Sequence, residues 1–410
     1  MKRKLILVSL GWIREKDPRR TLGHASILAR LAQEPEFEVV SLDFAVNDDH
    51  FQREAVLCEI LRAGLASGVT VGIGVYIWNE QIVQWLLPAL RGAGFLGRIV
   101  LGGPQISYAP AGVDALYRDA DLFVRGYGED AMVRILRDEP EIRGVTRQGQ
   151  DDSEARTEVD LSALPSPHIG NGPAAAFVRW ETQRGCPYNC SFCQHVEAGA
   201  KLQFRQLDQT RIDAEIDHFV EHGVKQIVVL DPVFNADEAH AIRVLQRLKS
   251  RGFRGQLSFQ CRFESVTPGL LDACDGLNVV LEFGLQTIHE IEMKAIRRKN
   301  RMAKVDTVID ELHKRSIPFE VSLIYGLPEQ TVESFKASVN WCLGRRVPTL
   351  RAFPLMLLRG TAMERERERW GLVENDDAIP LVIQSNTFSH ADWLEMRRIA
   401  ENVQTGGPGS

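Results

Sequence analysis

No apolar run in this chain approaches the roughly 20 residues that a membrane-spanning helix needs, so no membrane is expected among its partners. Basic blocks are missing as well. With a net charge of −6 the chain has no surface stripe that would hold nucleic acid by its phosphates. Cysteines at paired spacing are also lacking: Cys58, Cys261, Cys274 and Cys342 stand singly and read as small core residues. That usage argues against a disulfide framework and fits a reducing, cytoplasmic setting. There is no H-E-x-x-H pattern, and no second protein-ligated metal site is expected. The opening Met1-Lys2-Arg3-Lys4-Leu5-Ile6-Leu7-Val8-Ser9-Leu10 has the charged and apolar parts of a signal peptide. Its apolar run is short and no small-residue cleavage site follows, so it reads as a first buried strand. The 410 residues, 44% hydrophobic and 25% charged, have the balance of a globular protein of about two to three domains.

Short β-rich runs alternate with amphipathic segments through the first third. Strands are expected at 4–10, 37–42, 69–75, 98–101 and 122–124, with helical patterns such as 22–32 and 82–90 between them. This alternation predicts a parallel sheet covered by helices on both faces, with any ligand at the carboxyl ends of the strands. Glycine-bearing turns fall there: Gly11, Gly102-Gly103-Pro104, and Gly126-Tyr127-Gly128-Glu129. Glycine permits close approach of backbone to a ligand, although such turns occur in any sheet of this class. A polar, proline-punctuated stretch at 146–175 reads as a linker. A second alternation follows, with strands at 177–182, 226–231, 256–261, 279–284, 319–325 and 350–354.

What stands out is the loop directly after the first strand of that second series, Arg184-Gly185-Cys186-Pro187-Tyr188-Asn189-Cys190-Ser191-Phe192-Cys193. Three thiolates at C-x3-C-x2-C spacing can hold three corners of a [4Fe–4S] cluster, because thiolate is the soft ligand that iron–sulfur sites require. With no fourth cysteine nearby, one iron would stay open to a substrate or cofactor. The competing reading is a zinc loop, although zinc usually takes a second C-x2-C pair that this chain lacks. His195 reads as a polar neighbour rather than a fourth ligand.

The loop resembles that of the radical SAM superfamily, and the glycine turns together with Gly72-Ile73-Gly74-Val75-Tyr76-Ile77-Trp78-Asn79 resemble its B12-binding-domain members over nearly the whole chain. The resemblance implies an α/β chain: a doubly wound, Rossmann-like domain of B12-binding type (1–145), the linker, and a partial (β/α)6 radical SAM barrel (176–355). A helical extension (356–403) and a flexible tail (404–410) complete it. It implies a [4Fe–4S] cluster on Cys186, Cys190 and Cys193, with S-adenosylmethionine (SAM) at the open iron. The backbone of Phe192 would meet the SAM adenine. Glu282-Phe283-Gly284-Leu285-Gln286-Thr287 resembles the E-x-G-x-Q-S/T segment that faces ribose and methionine, which singles out Glu282 and Gln286. Ile324-Tyr325-Gly326-Leu327-Pro328-Glu329 resembles the adenine segment G-x-I-x-G-x-x-E, with Ser322 in place of its first glycine. Asp231, with Asn235, and Arg262 follow the second and third barrel strands, where SAM or substrate contacts occur; Arg262 could meet the SAM carboxylate as a planar donor fork.

Cobalamin is implied more weakly. Gly102, Gly103, Gly126 and Trp78 are its candidate contacts, with Trp12 and Tyr76 beside them, but the D-x-H-x-x-G motif is absent. The expected activity is reductive cleavage of SAM to modify a small molecule, with a flavodoxin- or ferredoxin-type donor as electron source. Methyl transfer with cobalamin leads. Transfer of a 3-amino-3-carboxypropyl group to carbon or to a soft heteroatom such as trivalent arsenic is the second reading, and a non-catalytic iron–sulfur or zinc sensor the third. At the carboxyl end, Glu364 to Arg369 alternate in sign, as a solvated helix does.

Overall fold

The computed structural model describes residues 3–405 apart from 15–16, 18–19, 171–174 and 196–203, and divides the chain into two compact units, 1–173 and 174–410.

The first unit holds strands β1 (Arg3–Gly11), β2 (Phe37–Ala45), β3 (Val69–Gly74), β4 (Arg98–Gly102), β5 (Leu122–Val124) and β6 (Val145–Arg147). They form one sheet in the order β2-β1-β3-β4-β5-β6, parallel except for the antiparallel β5–β6 pair. Residues of β1 explain why it is central. Ile6, Val8 and Leu10 enter one apolar core while Leu5 and Leu7 enter another on the opposite face, so the strand is buried on both sides. Helices α1 (Leu22–Leu31) and α6 (Glu129–Leu136) supply the Leu5 core; α2 (Arg53–Ala63) and α3 (Glu80–Gly92) supply the Ile6 core. The short α4 (Pro104–Ser107) and α5 (Val113–Leu116) follow β4. Strand order reverses between β1 and β3, which makes their carboxyl ends the ligand crevice of this fold class.

The stretch expected to be a linker carries structure of its own. β6 pairs with β5, and Thr157 accepts no slack: its N–H donates to Arg125 O at 2.7 Å. Arg125, 1% exposed, pairs with the equally buried Asp152 and also donates to the carbonyls of Ile106, Ala109 and Pro110. The five donors of the guanidinium thus meet one carboxylate and three carbonyls, which ties the polar stretch to the sheet.

The second unit follows the expected alternation. Strands β7 (Phe177–Trp180), β10 (Gln226–Val229), β11 (Gln256–Cys261), β12 (Asn278–Gln286), β13 (Phe319–Tyr325) and β14 (Thr349–Pro354) form a parallel six-stranded sheet in chain order. The short β8 (Gln183–Gly185) and β9 (Phe204–Gln206) pair antiparallel beside it. Between the strands run α7 (Gln209–Glu221), α8 (Glu238–Ser250), α9 (Pro268–Cys274), α10 (Glu290–Ala295), α11 (Met302–Lys314) and α12 (Val332–Gly344). In β13 the odd-numbered residues from Phe319 to Tyr325 are buried and the even-numbered ones half-buried. One face of the sheet is thus sealed by apolar packing and the other kept for polar side chains.

Beyond β14 the charged run is two short helices, α13 (Ala362–Arg365) and α14 (Arg367–Trp370), divided at Glu366. The hairpin β15 (Val373–Glu374) and β16 (Val382–Gln384) precedes α15 (His390–Thr405), which extends into the expected tail; residues 406–410 lie outside the described ones. Among the described residues no helix is long and apolar enough to cross a membrane.

Breaking the Arg125–Asp152 pair tests how the 146–170 stretch is held. Arg125→Met leaves a buried carboxylate uncompensated and should cost about 3–5 kcal/mol in chemical denaturation, a loss that a mere surface linker would not register.

Candidate functional site

The three cysteines sit on the loop that leaves β8. Cys186 and Cys190 are buried and Cys193 half-buried. The loop is sewn in place by backbone. Ser191 N donates to Ile296 O at 2.9 Å, Met363 N donates to Ser191 O at 2.8 Å, and Gln194 Nε2 donates to Arg359 O at 2.9 Å. The turn after β14 therefore anchors the cysteine loop, a role its sequence did not announce. Burial pushes the Cys186 thiol up and the Cys193 thiol to about 11, and the neighbouring cysteines add to both shifts. The thiols thus feel one another. Yet among the described residues no three His, Cys, Asp or Glu side chains converge where a single ion could sit. Three thiolates at C-x3-C-x2-C spacing are the donor set that a cubic cluster takes at three separate corners. His195 is exposed, its N–H 3.5 Å from Cys193 Sγ. His218 and His222 lie four apart on and just beyond α7 with rings 4.0 Å apart, and no third metal-ligating side chain joins them among the described residues.

Two guanidinium groups reach the loop. Arg262 Nη1 lies 3.9 Å from Cys190 Sγ and Arg298 Nη1 lies 3.7 Å from the same sulfur. Arg262 is 5% exposed, stacks over the Tyr188 ring at 4.0 Å and pairs with Glu264 at 3.2 Å. Its backbone is clamped by Asn235, whose amide exchanges two 2.9 Å hydrogen bonds with Arg262 N and O. Arg298 lay outside every sequence motif. Its Nη2 donates to Gly284 O and its Nε to Asn300 Oδ1. Burial and the nearby Arg262 hold its pKa below the ordinary value.

Along β12 the register shifts between Gly284 and Gln286, and Gln286 takes φ +70°. A Cβ on Gly284 would stand 2.5 Å from Gln286 Nε2, so a side chain there would displace that amide. The Gln286 Oε1 is buried with no partner, an acceptor left over at a strand end. Glu282, two residues earlier, accepts a hydrogen bond from Ser258 Oγ. Ser322 stands opposite Gly284 in register, and Ser322 and Ile324 are half-buried on the polar side of β13. Gly326 takes φ +86°, and its N–H donates to Gln330 Oε1 at 2.8 Å. Phe192 is half-buried on the cysteine loop.

Asp231 departs from expectation. It is fully buried and its carboxylate is spent inward: Oδ1 accepts from Thr182 N at 2.7 Å and Gln183 N at 3.1 Å, and Oδ2 from Thr182 Oγ1 at 2.5 Å. The buried His240, which burial pushes down to about 4, meets the same threonine oxygen at 2.8 Å. Asp231 thus braces the chain just before the cysteine loop and has no free oxygen to offer a ligand.

In the first unit the candidate cobalamin contacts separate in the same way. A Cβ on Gly103 would stand 2.7 Å from Val75 O and one on Gly126 2.7 Å from Thr157 O, so internal packing accounts for both glycines. Gly102 has no such reason, since nothing comes nearer than 3.8 Å to its Cβ position. Trp78 Nε1 and Asn79 Nδ2 both donate to Leu10 O, and the Trp78 ring stacks on Tyr76 at 4.5 Å. These residues line the β1/β3 crevice. Trp12 is 48% exposed.

Residues 180–342 match the family model of the radical SAM superfamily. The chain is 30% identical over 244 residues to 2-(S-pantetheinyl)-carbapenam-3-carboxylate methyltransferase of Streptantibioticus cattleyicolor, covering 54% of this chain and 32% of that protein. It is 23% identical over 393 residues to the cobalamin-dependent radical SAM methyltransferase TokK of Streptomyces tokunonensis, covering 83% and 57%. Over residues 180–342 the chain thus matches the radical SAM superfamily, and over most of its length it is similar to a cobalamin-dependent member of it. Among solved structures it is similar to the methyltransferase TsrM of Kitasatospora setae (TM-score 0.74, 17% identity, 96% of this chain and 82% of that one). The cobalamin-dependent radical enzyme OxsB shares the fold too (TM-score 0.71, 16% identity, 97% and 66%). The chain spans about a third to somewhat over half the length of these two curated relatives.

Two outcomes check this site. Replacing Cys186, Cys190 and Cys193 with alanine should reduce the iron of the reconstituted protein to background, while Cys342→Ala leaves it unchanged. Burial raises the Asp231 pKa to about 7. Between the unfolded value near ~4 and about 7 the folded chain keeps a proton that the unfolded chain releases. Stability of the second unit should therefore fall as pH rises through that window. Asp231→Asn, which keeps the Oδ1 acceptor, should flatten that fall in denaturation curves taken across it.

Proposed function

We propose that this chain is a radical SAM transferase that methylates a small-molecule substrate. The observation that carries the reading is the gathering, in one unit, of a three-thiol loop with an unspent buried acceptor on Gln286 and a clamped guanidinium on Arg262. A [4Fe–4S] cluster, when bound, supplies the electron that cleaves the SAM sulfonium. Cys186, Cys190 and Cys193 would hold it. Gln286 Oε1 and Glu282 would accept hydrogen bonds from an ammonium group or ribose hydroxyls. Ser322 and Ile324 on β13 and Gly326 just after it, with Phe192, would line the adenine, and Arg262 would take the carboxylate as a fork. Asp231 contributes by position alone. A low-potential flavodoxin- or ferredoxin-type protein would deliver the electron.

For cobalamin, Gly102 and the Tyr76–Trp78 stack fit a large ring at the β1/β3 crevice. The printed functions of the relatives, cobalamin-dependent methyl transfer among them, favour the same choice. The 3-amino-3-carboxypropyl reading draws on two observations: Gly103 and Gly126 are explained without a ligand, and no D-x-H-x-x-G motif is present.

Anaerobic reconstitution with SAM and dithionite, followed by mass spectrometry of the nucleosides, separates these readings. The expected products are S-adenosylhomocysteine with deoxyadenosine, dependent on added cobalamin. Methylthioadenosine would move the assignment to aminocarboxypropyl transfer. No SAM cleavage by a fully loaded cluster would overturn both.

A further inference from the structure

Arg298 presents an unbalanced charge. Arg262 has Glu264 for its counter-ion at 3.2 Å, whereas Arg298 feels that carboxylate only from beyond ion-pair distance and has none of its own among the described residues. Its partners are a carbonyl, an amide oxygen and a thiol sulfur: Gly284 O, Asn300 Oδ1 and Cys190 Sγ. All three accept a hydrogen bond, and of the three only the sulfur can become an anion. A guanidinium drawn out of water without a counter-charge is costly, so a fold that keeps one there has an anion to place beside it. The side chain is also fixed along its length. Nη2 is tied to the β12 bulge and Nε to Asn300, whose own Nδ2 donates to Leu285 O at 2.7 Å and Thr287 O at 3.2 Å. The guanidinium is therefore held in place beside Cys190 Sγ.

We infer that Arg298 is the electrostatic partner of the cysteine-bound cluster, setting its reduction potential from the Cys190 corner and linking that corner to the β12 bulge. The inference rests on the iron–sulfur reading of the loop. Reduction adds one electron to the cluster and so one unit of negative charge, with no bond made or broken in the protein. A fixed cation at hydrogen-bond range of the thiolate stabilises the reduced form more than the oxidised one, because the attraction grows with the charge it faces. In a half-buried site solvent screens this less than at the surface. Arg298 is a positioning and potential-setting residue; it is not assigned a contact with substrate.

The test is a redox titration of reconstituted protein, without SAM, followed by electron paramagnetic resonance, on wild type, Arg298→Met, Arg298→Lys and Arg262→Met. Arg298→Met should move the midpoint to more negative potential, raising the oxidised-to-reduced ratio at a fixed poise about tenfold, which is about 59 mV for a one-electron couple. Arg298→Lys should recover most of the shift, and Arg262→Met, which removes a charge already balanced, should move the midpoint less. Equal iron content with an unchanged midpoint in Arg298→Met overturns the inference. So does a lysine variant displaced as far as the methionine one, which would make the Gly284 hydrogen bond the function of the residue. If Arg298→Met does not retain iron, retention by Arg298→Lys supports the role of charge and loss by both overturns it. Wild-type protein that binds no iron would instead remove the cluster reading itself.

Discussion

Everything at the centre of the second unit depends on keeping three thiols on one short loop apart from one another and out of bulk water. Thiols so placed repel as they ionise and lose hydration, which is why burial drives Cys186 and Cys193 upward. The loop cannot hold itself in that state. It is held from outside, by Ile296 and Met363 through Ser191, by Arg359 through Gln194, and by Asp231 through Thr182 and Gln183. Each anchor comes from a different βα unit or from the turn after β14. The parallel sheet is the device that brings those carboxyl ends together.

A division of labour among polar side chains follows from where their hydrogen-bonding capacity goes. Asp231, Asn235 and Asn79 are buried and spend themselves on backbone N–H and C=O groups. They fix loops and leave nothing over. Gln286 is the opposite case: its backbone is forced to φ +70° and its Oε1 is left without a partner. Strain and an orphaned acceptor each cost stability, and a fold carries both at one residue where a ligand repays them.

Much of this architecture was readable in the residues. β/α alternation gave both sheets, and C-x3-C-x2-C and E-x-G-x-Q placed the cysteine loop and the β12 segment, because both patterns are local. What stayed hidden was set by contacts distant in sequence. Asp231 carries the right residue type at a strand end, but its orientation depends on Thr182, 49 positions away. The linker reading failed for a similar reason: polar composition signals exposure unless a buried cation such as Arg125 collects the carboxylate. Gly103 and Gly126 look like ligand-facing glycines until Val75 and Thr157 are seen to fill the space.

Arg298 belongs to the same class of hidden residue and shows how such a residue can be recognised. It follows α10 in a basic run, Arg297-Arg298-Lys299, that composition alone assigns to solvent. Arg297 behaves that way, exposed and paired with Glu366. Arg298 turns inward, and the difference lies in what receives it: the carbonyl of Gly284, beside the register shift in β12. The irregular segment that carries Gln286 thus also carries the acceptor that holds a cation beside Cys190. The recognition face and the charge at the cluster loop meet at Gly284, so a change of backbone there would disturb the two together.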